Sequence, residues 1–220
     1  QVTANDTANT AAQSIAITVT SVNEAPSVTS AATANFAENA TGTVYTATGS
    51  DPDAATTLTF ALGGTDANLF NIDANTGALT FKNAPNFEAP ADNGTDNVYD
   101  VTVTASDGAL TSTSQAVAIT VTNVNENPAF TSATTASVAE NQTAAIDVNA
   151  NDGDGGAADA GVTYSLTGGA DQALFNIDTN SGVVTFKNAP DFETPGDNGT
   201  NNVYAIQVTA NDTVSTAAQS

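Results

Sequence analysis

The carboxylates of this chain recur at fixed positions where short apolar runs give way to turns. Glu38 and Glu140 each sit in an Ala-Glu-Asn triplet. Asp51-Pro52-Asp53 has its counterpart in Asp152-Gly153-Asp154. Glu88 closes Asn86-Phe87-Glu88, and Glu193 closes Asp191-Phe192-Glu193. Asp107 follows Val103-Thr104-Ala105-Ser106, and Asp212 follows Val208-Thr209-Ala210-Asn211. Two Asn/Glu-rich stretches end in proline: Ser21-Val22-Asn23-Glu24-Ala25-Pro26 and Asn123-Val124-Asn125-Glu126-Asn127-Pro128. Side chains of these types share one chemistry, the binding of hard cations through oxygen. Calcium takes roughly 6–8 oxygen ligands in flexible geometry, whereas magnesium demands a stricter octahedron and keeps several waters, so calcium is the cofactor this pattern favours. Without a cation, carboxylates held close together near a protein surface repel by roughly a few kcal/mol per pair.

Composition removes other chemistries. Histidine and cysteine are absent, so there is no imidazole base or ligand, no thiolate nucleophile, no zinc–thiolate site and no disulfide. Small secreted domains often rely on disulfides, and bound cations are the obvious substitute cross-link here. The 24 Asp and Glu outweigh 2 Lys and Arg, for a net charge of -22. That balance argues against nucleic acid and anionic membrane as partners, because both need cationic side chains to displace counterions. No run of 18 or more apolar residues offers membrane insertion by a helix. Taken singly, many of these acidic groups mean little. A lone Asp-x-Asp is usually a solvated turn. Asp92-Asn93-Gly94 and Asp197-Asn198-Gly199 read as turns with no metal. Asp152 to Asp159 lacks the spacing and flanking helices of a helix-loop-helix calcium site. Asn-x-Thr triplets such as Asn39-Ala40-Thr41 and Asn93-Gly94-Thr95 are expected by chance in a chain so rich in both residues.

The elements that must position the carboxylates are repeated too. Leu69-Phe70-Asn71-Ile72-Asp73 returns at Leu174 to Asp178, and Lys82 to Glu88 returns at Lys187 to Glu193, both 105 residues on. Ala37-Glu38-Asn39 returns 102 residues on, at Ala139, which places small insertions of the second copy within Asp152 to Asp159. Gln1 to Ser14 matches Gln207 to Ser220 except at Ala8/Val214 and Asn9/Ser215. The chain therefore starts late in one repeat, runs through a complete one and stops late in a third. Ile15 to Val22 is in phase with whatever follows Ser220. Within a repeat the period is two: Tyr99, Val101, Val103 and Ala105 alternate with polar residues, as do Val117, Ile119 and Val121. About seven short strands per hundred residues is the pattern of an immunoglobulin-like sandwich. The expected core is Phe60, Leu62, Phe70, Ile72, Leu79, Phe81, Tyr99 and Val101. Its counterpart is Tyr164, Leu166, Phe175, Ile177, Val184, Phe186, Tyr204 and Ile206. The aromatic residues fall in strand phase and read as core, not as a sugar platform.

The full set of motifs resembles the cadherin repeat, which has an early Glu, an Asp-x-Asp pair, an Asp-Arg-Glu triplet, an Ala-x-Asp-x-Gly turn and a closing Asp-x-Asn-Asp-Asn-x-Pro linker. The resemblance spans the chain and appears in order, twice. It implies an all-β fold of tandem immunoglobulin-like Greek-key β-sandwiches of the cadherin type, with calcium between successive repeats. It divides the chain into 1–24, the last strands of a preceding repeat; 25–126, a complete repeat; and 127–220, a repeat lacking its last strand. By the same resemblance, Glu38, Glu88, Asn123, Asn125, Glu126 and Asn127 meet Asp152, Asp154 and Asp212 around calcium. The matching positions of the neighbouring seams are Asn23, Glu24, Asp51, Asp53 and Asp107 on one side and Glu140, Asp191 and Glu193 on the other. The chain departs from the family pattern in places. Asn123 and Ser21 replace the first linker Asp, Glu126 and Glu24 the later one. Ala25 stands where Asn127 keeps the last Asn, Asn86 where Asp191 keeps the triplet Asp, and Phe replaces the triplet Arg.

These features imply a calcium-binding structural or adhesive repeat of an extracellular filament or cell-surface protein, and no enzyme. Its partners are neighbouring repeats of the same chain and, in a homophilic or head-to-tail mode, other copies. The Ala/Thr/Asn/Asp-rich, lysine-poor composition looks more like giant bacterial repeat adhesins than animal cadherins. The alternative is a calcium-dependent carbohydrate-binding module of a secreted protein. A glycosidase needs an asymmetric carboxylate cleft, which near-identical repeats do not suggest. The chain begins with Gln1 and shows no signal peptide, and it reads as an excerpt of a longer protein. That accounts most simply for its phase. Strand addition between copies through Ile15 to Val22 is the second account.

Overall fold

In a computed structural model, residues 1–5, 7–53, 55–155 and 161–220 are described. Their regular structure is all strand, apart from two single-turn helices at Ala67–Leu69 and Gln172–Leu174. The chain divides into two compact units. The first comprises Gln1–Ala34, Gly42–Lys82 and Asp100–Ala118; the second comprises Asn35–Thr41, Asn83–Tyr99 and Ile119–Ser220. In chain order the strands are β1 (Val2–Asn5), β2 (Thr10–Gln13), β3 (Ser27–Val28), β4 (Thr33–Ala37), β5 (Thr43–Thr46), β6 (Gly49–Ser50), β7 (Thr59–Gly63), β8 (Phe70–Ile72), β9 (Ala78–Phe81), β10 (Val98–Ser106) and β11 (Gln115–Thr122). They continue as β12 (Ala129–Phe130), β13 (Ala144–Asp147), β14 (Ala150–Asn151), β15 (Thr163–Gly168), β16 (Phe175–Ile177), β17 (Val183–Phe186), β18 (Gln207–Asn211) and β19 (Thr216–Gln219).

The sheets run β4-β11-β10-β7, β5-β9-β8 and β3-β6, then β13-β17-β16, β15-β18-β19 and β12-β14. This is the all-β sandwich architecture expected from the alternating pattern. The strand count exceeds seven because two strands are each broken in two. Between β3 and β4 the chain leaves β6 and joins β11, and between β5 and β6 it leaves β9 and joins β3. The second break is pinned where Ala47 N donates to Gly77 O at 2.8 Å. Gly77, at φ 70, sits so close that a Cβ there would lie 2.2 Å from Ala47 O, and Gly182 stands likewise 2.0 Å from Val148 O. Only glycine fits both the left-handed backbone and the approach.

Alternation sets the core. Along β10, Tyr99, Val101, Val103 and Ala105 are buried while their neighbours face outward, and β11 buries Val117, Ile119 and Val121. Each such side chain contributes about 1.5–3 kcal/mol on leaving water. In the second unit, Val148, Val162, Tyr164, Phe175, Val184, Phe186 and Val208 form one cluster. Phe175 and Phe186 stack at 4.4 Å between ring centroids, as Phe70 and Phe81 do at 4.3 Å. Of the expected core, Leu62, Ile72, Phe81, Leu166, Ile177, Tyr204 and Ile206 are only half-buried. Tyr204 and Ile206 stand just before β18, which is five residues long where β10 is nine.

The hairpin β1–β2 pairs Val2 with Gln13 and Asn5 with Thr10; β18–β19 pairs Val208 with Gln219 and Asn211 with Thr216. The near-identical sequences thus fold in identical register. Ile15 to Val22, despite its alternation, forms no strand, and Ile15, Ile17, Val19 and Val22 are exposed. A strand is stabilised by its neighbour and not by propensity alone.

Candidate metal centre

Glu38 directly follows β4 and is 2% exposed. Its Oε2 accepts from Phe87 N and its Oε1 from Val124 N, both at 2.8 Å, so one carboxylate ties down two loops. Asn39, in the left-handed region at φ 58, turns the chain away and donates through Nδ2 to Glu126 Oε1 at 2.7 Å. Glu88 Oε1 accepts from Asn123 Nδ2 at 2.8 Å. One carboxylate oxygen from each of Glu38, Glu88 and Glu126 lies within 4.8 Å of the others. All three residues belong to the second unit.

A loop of the same unit covers this cluster. Asp154 Oδ2 accepts from Glu126 N at 3.2 Å, and Asp152 Oδ1 accepts from Asp154 N at 3.3 Å. A Cβ at Gly153 would stand 3.1 Å from Glu126 Cβ, and one at Gly155 3.2 Å from Glu88 Cγ, so the two glycines let the loop approach. Gly156 to Asp159 of the acidic insertion lie outside the described residues. At the rim, Asn125 Nδ2 donates to Asp212 Oδ2 at 3.0 Å. Asp212 also accepts from Val214 N, Ser215 N and Ser215 Oγ. The Ser215 amide, ahead of the Asn125 amide and the Ser215 hydroxyl, holds Asp212 well below the usual carboxylate range.

The electrostatics are those of a site built for positive charge. Glu88 Oε2 and Glu126 Oε2 are buried and accept no hydrogen bond. Burial pushes both carboxyls up, and the charges of Glu38 and Asp154 add to this in each case. The only basic side chains serve elsewhere: Lys82 Nζ donates to Asn68 O at 2.6 Å and Lys187 Nζ to Ala173 O at 2.7 Å. Buried anions without partners are costly, and a hard cation with an incomplete oxygen shell is the complement they lack. The donor set therefore fits calcium.

Two further groups carry parts of the same arrangement. In the first unit, Asn23 Nδ2 donates to Asp107 Oδ2 at 2.8 Å, and Glu24 N and Ser21 Oγ donate to Asp53. Asp51 Oδ1 accepts from Asp53 N at 2.7 Å, leaving Asp51 Oδ2 buried and without a partner. The amide of Leu110, then that of Asn23, lowers the Asp107 carboxyl. In the second unit, Glu140, Asp191 and Glu193 also bring oxygens within 4.8 Å of one another, but all three are exposed. Asn127 is exposed as well.

These repeats have close likenesses. A family model described as the cadherin domain matches residues 134–220. The chain is cadherin-like. Halomucin of Haloquadratum walsbyi is 44% identical over 77 residues, which is 34% of this chain and 1% of that protein. Protocadherin Fat 4 of Mus musculus is 31% identical over 140 residues, 60% of this chain and 3% of that protein. The chain thus spans a very small part of either relative. Among solved structures, mouse cadherin-23 EC22-24 superposes with a TM-score of 0.56 at 20% identity, covering 90% of this chain and 65% of that one. Human protocadherin-24 EC1-2 gives 0.55 at 20% identity, covering 90% and 93%. These two share the cadherin-like fold.

Within the cadherin-like frame, several carboxylates have roles that their sequence context hides. Asp92 and Asp197, read as ordinary turn residues, are 3% and 4% exposed. Asp92 accepts from Asp96 N and Asn97 N, and Asp197 from Asn201 N and Asn202 N. Asn97 then donates to Phe87 O at 2.9 Å, and Asn202 to Phe192 O at 3.0 Å. Each turn so anchors the residue before Glu88 or Glu193. The exact recurrence of Asp-Asn-Gly-Thr 105 residues on is the sequence signal for this role. Asn39 was not among the candidate ligands, although its pairing with a preceding Glu recurs at Asn141.

Proposed function

We propose that this chain is a run of calcium-binding, cadherin-like repeats from an extracellular surface protein or filament, structural or adhesive and not catalytic. In this reading the repeats are residues 1–24, 25–126 and 127–220, and calcium fixes the seam between consecutive repeats. The carrying observation is the glutamate cluster of the second unit, where Glu88 and Glu126 each keep a buried oxygen with no hydrogen-bond donor. The cadherin-domain match supports the extracellular, adhesive class.

Glu38, Glu88, Glu126, Asp152 and Asp154 are the carboxylates for the ion, with Asp212 and the amide oxygens of Asn123 and Asn125 at its margin. Calcium supplies charge neutralisation there and joins segments far apart in sequence. Glu38 orients the site, since its hydrogen bonds to Phe87 N and Val124 N fix both glutamate-bearing loops. Asn39 holds one oxygen of Glu126 and leaves the other free. Neighbouring repeats of the same chain are the immediate partners.

Titration calorimetry of the chelated protein with calcium, and separately with magnesium, tests this. Calcium is expected to bind at roughly 10⁻⁴–10⁻³ M or somewhat tighter, as in extracellular modules, with magnesium weaker. Absence of calcium heat, together with an unfolding midpoint unmoved by calcium, would overturn it. Small-angle scattering should show a shorter maximum dimension after chelation.

A further inference from the structure

The carboxylates of Glu38, Glu88 and Glu126 bring six oxygens to the cluster of the second unit, and four of the six accept an N–H. Glu38 gives both of its oxygens to backbone amides, Phe87 N and Val124 N. The other two glutamates are engaged by side chains. Glu88 Oε1 accepts from Asn123 Nδ2 at 2.8 Å, and Glu126 Oε1 accepts from Asn39 Nδ2 at 2.7 Å. Among the described residues nothing donates to Glu88 Oε2 or Glu126 Oε2, and both atoms are buried. Each of these glutamates is thus divided into a capped oxygen and an open one. The two capping amides come from separate segments. Asn39 stands in the left-handed turn after β4, at φ 58, and Asn123 directly follows β11.

This division bears on how many ions the cluster can hold. A second divalent ion beside the first is repelled about four times as strongly as one unit charge repels another at the same distance. Carboxylate oxygens shared between the two ions are what offset that repulsion, since oxygen is the ligand such hard cations take. Here the oxygens of Glu88 and Glu126 that a second ion would need already carry amide protons. We propose that Asn39 and Asn123 restrict this cluster to a single calcium ion, held by Glu88 and Glu126 through their open oxygens. The inference rests on the calcium reading and adds the number of ions and the residues that set it.

Native mass spectrometry of the 220-residue chain in saturating calcium counts the bound ions, with circular dichroism to show that each variant is folded. The double variant Glu88→Gln, Glu126→Gln should bind one ion fewer than the parent. A loss of two or more would overturn the single-ion assignment and leave the calcium reading standing; a loss of none would sink both. The double variant Asn39→Asp, Asn123→Asp should bind one ion more, because each capping donor becomes a further acceptor and aspartate also accepts the left-handed backbone at position 39. Asn71→Asp makes the same change of charge at an exposed position of β8 and should leave the count where it was. An unchanged count in the Asn39/Asn123 variant, or an equal gain from Asn71→Asp, would show that the two amides do not limit the site.

Discussion

Two glutamate clusters of the second unit have the same phase in the repeat and different surroundings. Around Glu38, the segment that follows β11 returns Val124 N to one oxygen, and the turn before Glu88 returns Phe87 N to the other. Around Glu140, the equivalent turn supplies Phe192 N at 3.0 Å to Oε2, and the residue stays exposed. Glu88 has a buried oxygen without a donor; Glu193 is exposed. The motif is therefore not the site. The triplet and early Glu supply all three carboxylates around Glu140 but only Glu38 and Glu88 of the other group, where Glu126 of the linker is the third and the acidic loop covers the grouping.

The strongest way to break this comparison is to remove calcium. At a hundredfold excess over its dissociation constant, each ion adds about 2.7 kcal/mol. At about 4–8 °C per kcal/mol for a domain of this size, chelation should lower the unfolding midpoint by about 10 °C or more. Glu38→Gln should abolish most of that shift, and Glu140→Gln should leave most of it; calorimetry of both variants, with and without calcium, decides. Equal losses would mean that both clusters are equally formed sites.

The same pair of variants sharpens the comparison in chelator. Glutamine at position 38 can accept through one atom only, which leaves either Phe87 N or Val124 N facing an amide donor. A cost of about 1–3 kcal/mol is expected. Glu140→Gln should stay within about 0.5 kcal/mol, as exposed substitutions do. Denaturant titration measures both. Phe87→Ala should likewise cost more than Phe192→Ala, by about 1–2 kcal/mol in dilute monomer, because only Phe87 is partly covered.

The smallest effect concerns pH. In chelator, burial and neighbouring anions hold the Glu88 and Glu126 carboxyls above the ordinary 4.5. A raised folded value means that folding favours the protonated form, so this contribution is present at low pH and is lost as pH rises through the folded values. Chelated protein should therefore gain stability as pH falls from 7 towards about 5. Asp107 and Asp212, held low by their amide donors, act in the opposite sense, and their contributions are lost as pH falls below about 4. Unfolding midpoints across this range should pass through a maximum that is much flatter in calcium.

Much of this architecture is legible in the chain. Period-two alternation marks Tyr99 to Ala105 and Val117 to Val121 because one face of each strand is buried. The resemblance of the motifs around Glu38, Glu88 and Glu126 to the cadherin repeat implies a shared site before any geometry is known. What stays hidden is the long-range bonding of single polar residues. Asp171, 4% exposed, accepts from Ala205 N, 34 residues away, and nothing in Gly-Ala-Asp-Gln announces it. Asn39 reaches Glu126 across 87 residues. Such bonds depend on where two distant turns meet, which no local pattern encodes. The reverse error occurs at Ile15 to Val22, where the strand pattern is present and the neighbour that would realise it is not.

Lys82 and Lys187 each spend their ammonium on a backbone carbonyl 14 residues upstream. The molecule thereby uses its only positive side chains as internal staples and meets the solvent as a polyanion. Added sodium chloride then screens mainly repulsion, with few attractive charge pairs to weaken. Brine should raise the unfolding midpoint of the chelated protein instead of lowering it.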